Sequence, residues 1–299
     1  MPLERYPYVV IFIPAYNEAD SIGAVIEKIK KDYIEGRKQG YWTDIIVVDD
    51  GSADDTAKVA KSAGVKTVIS HTSNRGLGAS TRTGMQRAYE MGADVAVKID
   101  ADFQHDPDDI DKVIRPVIND EADCVFGSRF KGGLGYRMPF YRAAGNRFFS
   151  WVVRLLTGLK ITDSQTGLMA FGRRYLKDFE IISDYNETQQ LIIDAWARHM
   201  RIIEVPVVFK KREKGTSFIS WRYPFKVLPT IARLFAHINP LVIFLPVGLI
   251  LTAAGILLGI SILLHGAGVF GDATMAILIV GGIQLILFGL LADLMSKKR

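Results

Sequence analysis

The chain has 299 residues, 49% of them hydrophobic, with a mean hydropathy of +0.16 and a formal net charge of +5. That is more apolar than a soluble domain requires. A single cysteine, Cys124, excludes an intrachain disulfide and agrees with a reducing compartment.

Met1–Tyr8 lacks an apolar core, so no cleaved targeting segment is expected. Beyond it, short runs rich in Val and Ile alternate with helical patterns. The strands expected are YVVIFI, DIIVVD, KTVIS, DVAVKID and DCVFGS, with helices near 19–31, 54–63, 78–91 and 107–118. Strands apolar on both faces and separated by helices predict a mostly parallel α/β sheet. In such sheets ligands bind beyond the carboxyl ends of the strands. PAYNE, DDGS and DAD come directly after strands one, two and four, so three polar clusters are expected along one edge.

The turn NRGLGAS departs from a dinucleotide GxGxxG, because position 81 is Thr and the turn succeeds the third strand. No GxxxxGK[ST] is present, which excludes a P-loop. From Asp100 to Asp111, six of twelve residues are Asp. An EF-hand fails here because His105 stands where the calcium loop needs Gly. Asp106-Pro107-Asp108-Asp109 predicts a helix start, with Asp106 as N-cap and Pro107 at N1. Asp100 and Asp102 remain. Read as an extended i, i+2 pair, they point the same way, toward the edge where the other motifs gather. With the Gln104 oxygen they can hold Mg2+ or Mn2+ and leave room for a diphosphate; a general acid/base pair is the competing reading. His71 and His105 are read as structural.

Between Pro206 and His237 stand seven Lys or Arg and one acid, Glu213. This concentrates the basic excess next to the apolar C-terminal stretches, so anionic headgroups are the expected partner and nucleic acid is not. Residues 220–238 mix aromatics with spaced cations, as an interfacial helix does. Leu234–Gly271 and Ala273–Ala292 carry no Lys, Arg, Asp or Glu. At ~1.5 Å per residue, spans of about 241–264 and 273–292 each cross a ~30 Å bilayer core. Cations flank both outer ends and the loop between has none, so an integral membrane hairpin is expected, with the α/β part and both termini cytoplasmic. Small residues in the spans permit close packing with each other or in a homo-oligomer.

Taken in order, PAYNE, DDGS, NRGLG, DADFQH, GSR and DSQTG resemble family 2 glycosyltransferases of the GT-A fold, above all the polyprenyl-phosphate (dolichyl-phosphate) hexose synthases. The resemblance covers about Tyr8 to Ser217. It implies a catalytic domain over 1–217, interfacial helices over 218–239 and the hairpin over 240–299. It also implies transfer of a hexose from a nucleotide sugar to dolichyl or polyprenyl phosphate, with inversion. By the same resemblance, Pro14, Tyr16, Glu18, Asp50, Asp100 and Ala101 hold the nucleotide, and Asp102 and Gln104 coordinate the cation. Arg129, Arg142, Asn146, Arg212 and Ser217 meet the acceptor phosphate, and Asp100, Asp102, Arg129 and Arg212 are the residues on which transfer depends. Arg212, Gly215 and Ser217 match an RxxGxS element that relatives continue with Lys; here Phe218 comes next. DSQTG is closer to the glucose- and N-acetylglucosamine-using relatives, which favours UDP-sugars over GDP-mannose. A neutral lipid or polysaccharide acceptor would need a general base, and the QxxRW of processive synthases is missing. A catalytically silent membrane scaffold is the reading from another class, against which the intact acids and arginines stand.

Overall fold

In a computed structural model of the protein, the residues described are 6–35, 40–132, 140–184, 187–210, 240–266 and 271–296. The chain divides into two compact units, Met1–Val227 and Leu228–Arg299. In the first, seven strands form one sheet: β1 (Tyr8–Ala15), β2 (Trp42–Asp49), β3 (Thr67–Ser70), β4 (Val95–Lys98), β5 (Cys124–Ser128), β6 (Met169–Gly172) and β7 (Ile202–Pro206). Their order is β3-β2-β1-β4-β6-β5-β7. Helices α1 (Ile22–Ile29), α2 (Thr56–Ser62), α3 (Leu77–Glu90) and α4 (Ile110–Ile118) come first, then the short α5 (Arg129–Gly132), α6 (Phe140–Thr157), the short α7 (Arg173–Leu176) and α8 (Glu187–Ala197).

β1 runs through the middle, and from Val9 to Ala15 every residue is buried. Val9, Ile11 and Ile13 join α1 and α4 in the main core, while Phe12 turns the other way onto Gly84 of α3. Full burial of a Val, Ile or Phe is worth ~1.5–3 kcal/mol, which fixes the register of a strand with two covered faces. As expected, Asp106 caps the turn before α4, accepting the Asp108 N–H at 3.1 Å, with Pro107 behind it.

Register places the site. Ala15 pairs with Asp49 and Phe12 with Lys98 in parallel ladders, so the carboxyl ends of β1, β2 and β4 share one edge. β6 departs from the parallel pattern. It is antiparallel to both β4 and β5, with Met169 opposite Lys98 and Phe126. Its amino end, carrying DSQTG, therefore lies at the edge where its neighbours finish.

Among its described residues the second unit holds two helices, Leu241–His265 and Gly271–Ser296. Each is long and apolar enough to cross a membrane, and only 11% of the most apolar window of each is buried. The core helix of a soluble domain is, by contrast, mostly buried. The two helices meet at Gly248 and Gly282, where a Cβ on either would stand 2.7 Å from the other's carbonyl oxygen.

Candidate active site

Three loops at the carboxyl edge are locked together by short hydrogen bonds. Asn17 and Ser52 tie PAYNE to DDGS: Ser52 Oγ accepts the Asn17 N–H at 3.0 Å, and Asn17 Oδ1 accepts the Ala53 N–H at 2.8 Å. Pro14 is buried at the end of β1, and Tyr16 and Glu18 are half-buried. Glu18 accepts from Ser21 Oγ at 2.7 Å. Asp50 accepts the Gly76 and Arg75 amides at 2.7 and 3.1 Å and lies 2.7 Å from His71 Nδ1. Its carboxylate closes the NRGLG turn, and His71, which also reaches Thr83 Oγ1, supports it.

β4 ends at Lys98, and residues 101 and 102 form a turn. The extended i, i+2 relation expected for Asp100 and Asp102 is thus not what orients them, because the strand stops short of both. Asp100 Oδ1 accepts from Lys98 Nζ at 2.7 Å, whereas Asp102 Oδ1 accepts the Gln104 N–H at 3.0 Å. Between them Ala101 is buried, and Phe103 adopts φ 59°, a left-handed conformation that costs a non-glycine residue on the order of 1 kcal/mol or more. Gln104 donates Nε2 to the Lys210 carbonyl at 3.2 Å, so its Oε1, the atom a hard cation takes, is not used in that bond.

Lys98 is the unexpected member of the site. It is fully buried, and its ammonium also lies 3.3 Å from Glu187, the first residue of α8. Burial pushes its pKa down, but the two carboxylates outweigh that and hold it above the usual lysine range. His105 is buried beside this pair. Burial lowers its pKa to about 4, so it is neutral at pH 7, with Nε2 accepting the Gly167 N–H at 3.0 Å. Gly167 is required there, because a Cβ would collide with Asp100 Oδ2.

On the other side of β6, Asp163 gathers two of the five residues expected at the acceptor, Arg129 and Asn146. It accepts from Arg129 Nε at 2.6 Å, Arg129 Nη2 at 2.7 Å and Asn146 Nδ2 at 2.9 Å. The backbone amides of Arg129 and Gln165 add two bonds of 3.1 Å each. Burial raises the Asp163 pKa, yet Arg129 and these donors outweigh it and hold the carboxyl below its ordinary range. Arg129 also stacks 4.8 Å over Phe209, which meets His105 edge-on. Arg142 lies in α6. Arg212, Ser217 and the expected interfacial stretch 218–239 lie outside the described residues.

Lys98, Glu187 and Asp163 are not among the site residues that the sequence points to. A lone cation within the apolar run VAVKI is the available signal for Lys98. Glu187 carries none, because its partner is distant in sequence.

A cation would meet oxygen ligands here. Among the described residues no three His, Cys, Asp or Glu side chains form a metal cluster. His105 Nε2 is already engaged, so Asp102 and Gln104 offer a partial set of hard donors. This suits Mg2+ or Mn2+, which keep positions for phosphate and water, and does not suit a closed tetrahedral centre.

Residues 10–179 match the model of the family described as glycosyl transferase family 2. The UDP-N-acetylglucosamine–dolichyl-phosphate N-acetylglucosaminyltransferase of Methanococcus voltae is 38% identical over 67% of this chain and 84% of its own length. The dolichol-phosphate mannosyltransferase of Pyrococcus furiosus is 31% identical over 81% and 68% respectively. In fold, the chain is similar to glucosyl-3-phosphoglycerate synthase from Mycobacterium tuberculosis, solved with Mn2+ and UDP-glucose. The TM-score is 0.59 at 21% identity, covering 77% of this chain and 78% of that one.

Proposed function

The chain belongs to glycosyl transferase family 2, and from that premise we propose that it moves a hexose from a nucleotide sugar to dolichyl or polyprenyl phosphate, inverting the anomeric centre. In this reading residues 1–217 are catalytic, 218–239 lie at the membrane interface, and the two apolar helices anchor the chain in the bilayer with both ends cytoplasmic. The donor is a UDP-sugar, UDP-N-acetylglucosamine or UDP-glucose, ahead of GDP-mannose. The higher identity to the Methanococcus voltae enzyme supports that order.

One observation carries the choice of an anionic acceptor. Among the described residues, three carboxylate or imidazole groups around the end of β4 are engaged: Asp100 and Glu187 on Lys98, and neutral His105 on the Gly167 amide. A hydroxyl acceptor needs a base to take its proton. A phosphate monoester is already charged near neutral pH, and its oxygen attacks the anomeric carbon as it stands.

The chain's own residues then bind and orient two anions. Pro14, Tyr16, Glu18, Asp50, Asp100 and Ala101 enclose the nucleotide and donor sugar. Asp102 and Gln104 would hold Mg2+ or Mn2+, which when bound offsets charge on the leaving diphosphate. Arg129, Arg142, Asn146, Arg212 and Ser217 receive the acceptor phosphate, arginine being suited to bidentate phosphate contact.

The test is a thermal-shift panel of UDP- and GDP-sugars with and without Mn2+, and then transfer to dolichyl phosphate. UDP-sugars should stabilise the protein only with the cation, and Asp102→Ala should abolish both the shift and transfer. Stabilisation indifferent to the cation, or equal transfer to a neutral lipid, would overturn the reading.

A further inference from the structure

Helix α6 has two unlike faces. Asn146, Phe149, Ser150, Val153 and Thr157 are buried, with Asn146 and Ser150 bonded to Asp163 and Ser164. Ala144, Phe148, Trp151 and Leu155 recur at helical spacing on the opposite side and are exposed, Phe148 by 47%, Trp151 by 50% and Leu155 by 66%. Phe148 and Trp151 pack ring to ring at 6.2 Å. Isolated apolar residues on a surface are ordinary; a contiguous row is a contact surface.

Charge identifies what the row would meet. From Arg129 to Thr162 there are seven Lys or Arg and no acid. The basic excess is therefore not confined to residues 206–237. Arg147 and Arg154 are exposed on the turns that carry Phe148 and Leu155, and exposed Lys160 lies just past the helix. Aromatic and aliphatic side chains flanked by cations fit the boundary between anionic headgroups and acyl chains. A second copy of the chain fits poorly, because a twofold pairing of this face would set Arg147 and Arg154 against their own counterparts. The chain itself carries two helices able to cross a membrane.

We propose that the outer face of α6 is a bilayer-docking surface of the catalytic unit. Phe148, Trp151 and Leu155 enter the headgroup boundary while Arg147, Arg154 and Lys160 meet lipid phosphates. The surface stands on these observations alone. Its use, holding the catalytic unit at headgroup height within reach of a membrane-held phosphate, rests on the acceptor reading above.

The test uses the full chain in nanodiscs containing anionic lipid. Cys124 is the only native cysteine and is buried, so Trp151→Cys labelled with an environment-sensitive fluorophore reports on one position. Leu155→Cys is the second reporter, and Trp42→Cys, 67% exposed at the start of β2, is the control. Labels at 151 and 155 should be blue-shifted and quenched by lipids carrying a shallow quencher, more weakly so in zwitterionic lipid; the label at 42 should stay solvent-like. Solvent-like labels at 151 and 155 would overturn the proposal. So would labels shielded yet unquenched by lipid, which would mean that protein covers the face, either a second copy or residues 211–239. Arg147→Glu/Arg154→Glu should raise the KM for membrane-embedded dolichyl phosphate by roughly tenfold and leave that for the nucleotide sugar unchanged. If transfer to lipid phosphate fails altogether while quenching persists, the acceptor reading falls and the docking surface stands.

Discussion

An ammonium group shut away from water between two carboxylates is retained only because charge balances there. Lys98 holds Asp100 and Glu187 in that way, so Lys98→Met should cost ~3–5 kcal/mol of stability, the usual loss when one member of a buried ion pair is removed. Adding Glu187→Gln should recover part of it, since Asp100 alone is open enough to be hydrated. Thermal unfolding of the three proteins checks both statements, and a Lys98→Met protein as stable as the parent would refute them. Asp163 is the corresponding acid. Its folded pKa lies below the ordinary value, so its stabilisation is present above about pH 3.9 and is lost as pH falls toward the lower folded value. Asp163→Asn should therefore be less stable at pH 7, because buried Arg129 loses its carboxylate partner, and its melting temperature should fall less steeply than the parent's below pH 4. The sequence displays Asp102 and Gln104 by their place after an apolar run, and Arg129 through the resemblance that GSR carries. It cannot display which carboxylate neutralises which cation, because those pairings join distant positions.

At the scale of elements, β1 to β5 are readable because Val and Ile runs bounded by polar turns leave little choice of state. β6 and β7 are four and five residues long, and no local pattern announces that β6 runs against its neighbours. Tertiary pairing decides that direction. The two apolar helices are readable from uncharged length alone, about 37 and 39 Å at ~1.5 Å per residue. Their mutual fit depends on Gly248 and Gly282. Gly282→Leu would drive a side chain into the Thr252 region of the partner helix, whose hydroxyl donates to the Gly248 carbonyl at 2.8 Å. The variant should lose helix–helix contact, seen as reduced cross-linking between cysteines placed on the two helices, with nucleotide binding by the catalytic unit unchanged.

Across the whole molecule, a net charge of +5 conceals two strongly basic stretches, Arg129 to Thr162 and Pro206 to His237. The first is hidden in the composition because acids elsewhere offset it, and the structure shows two of its cations, Arg147 and Arg154, exposed on α6. The order of the sheet has a consequence for how the protein is made. β4 and β5 are consecutive in the chain but not adjacent in space, because β6 lies between them. A ribosome therefore releases β4 with one flank unpaired, and that flank stays open while α4, β5 and α6 emerge. Unpaired strand edges invite aggregation, so this interval is when the nascent chain is most exposed to it. The same backward strand that carries DSQTG to the reaction edge ends that interval.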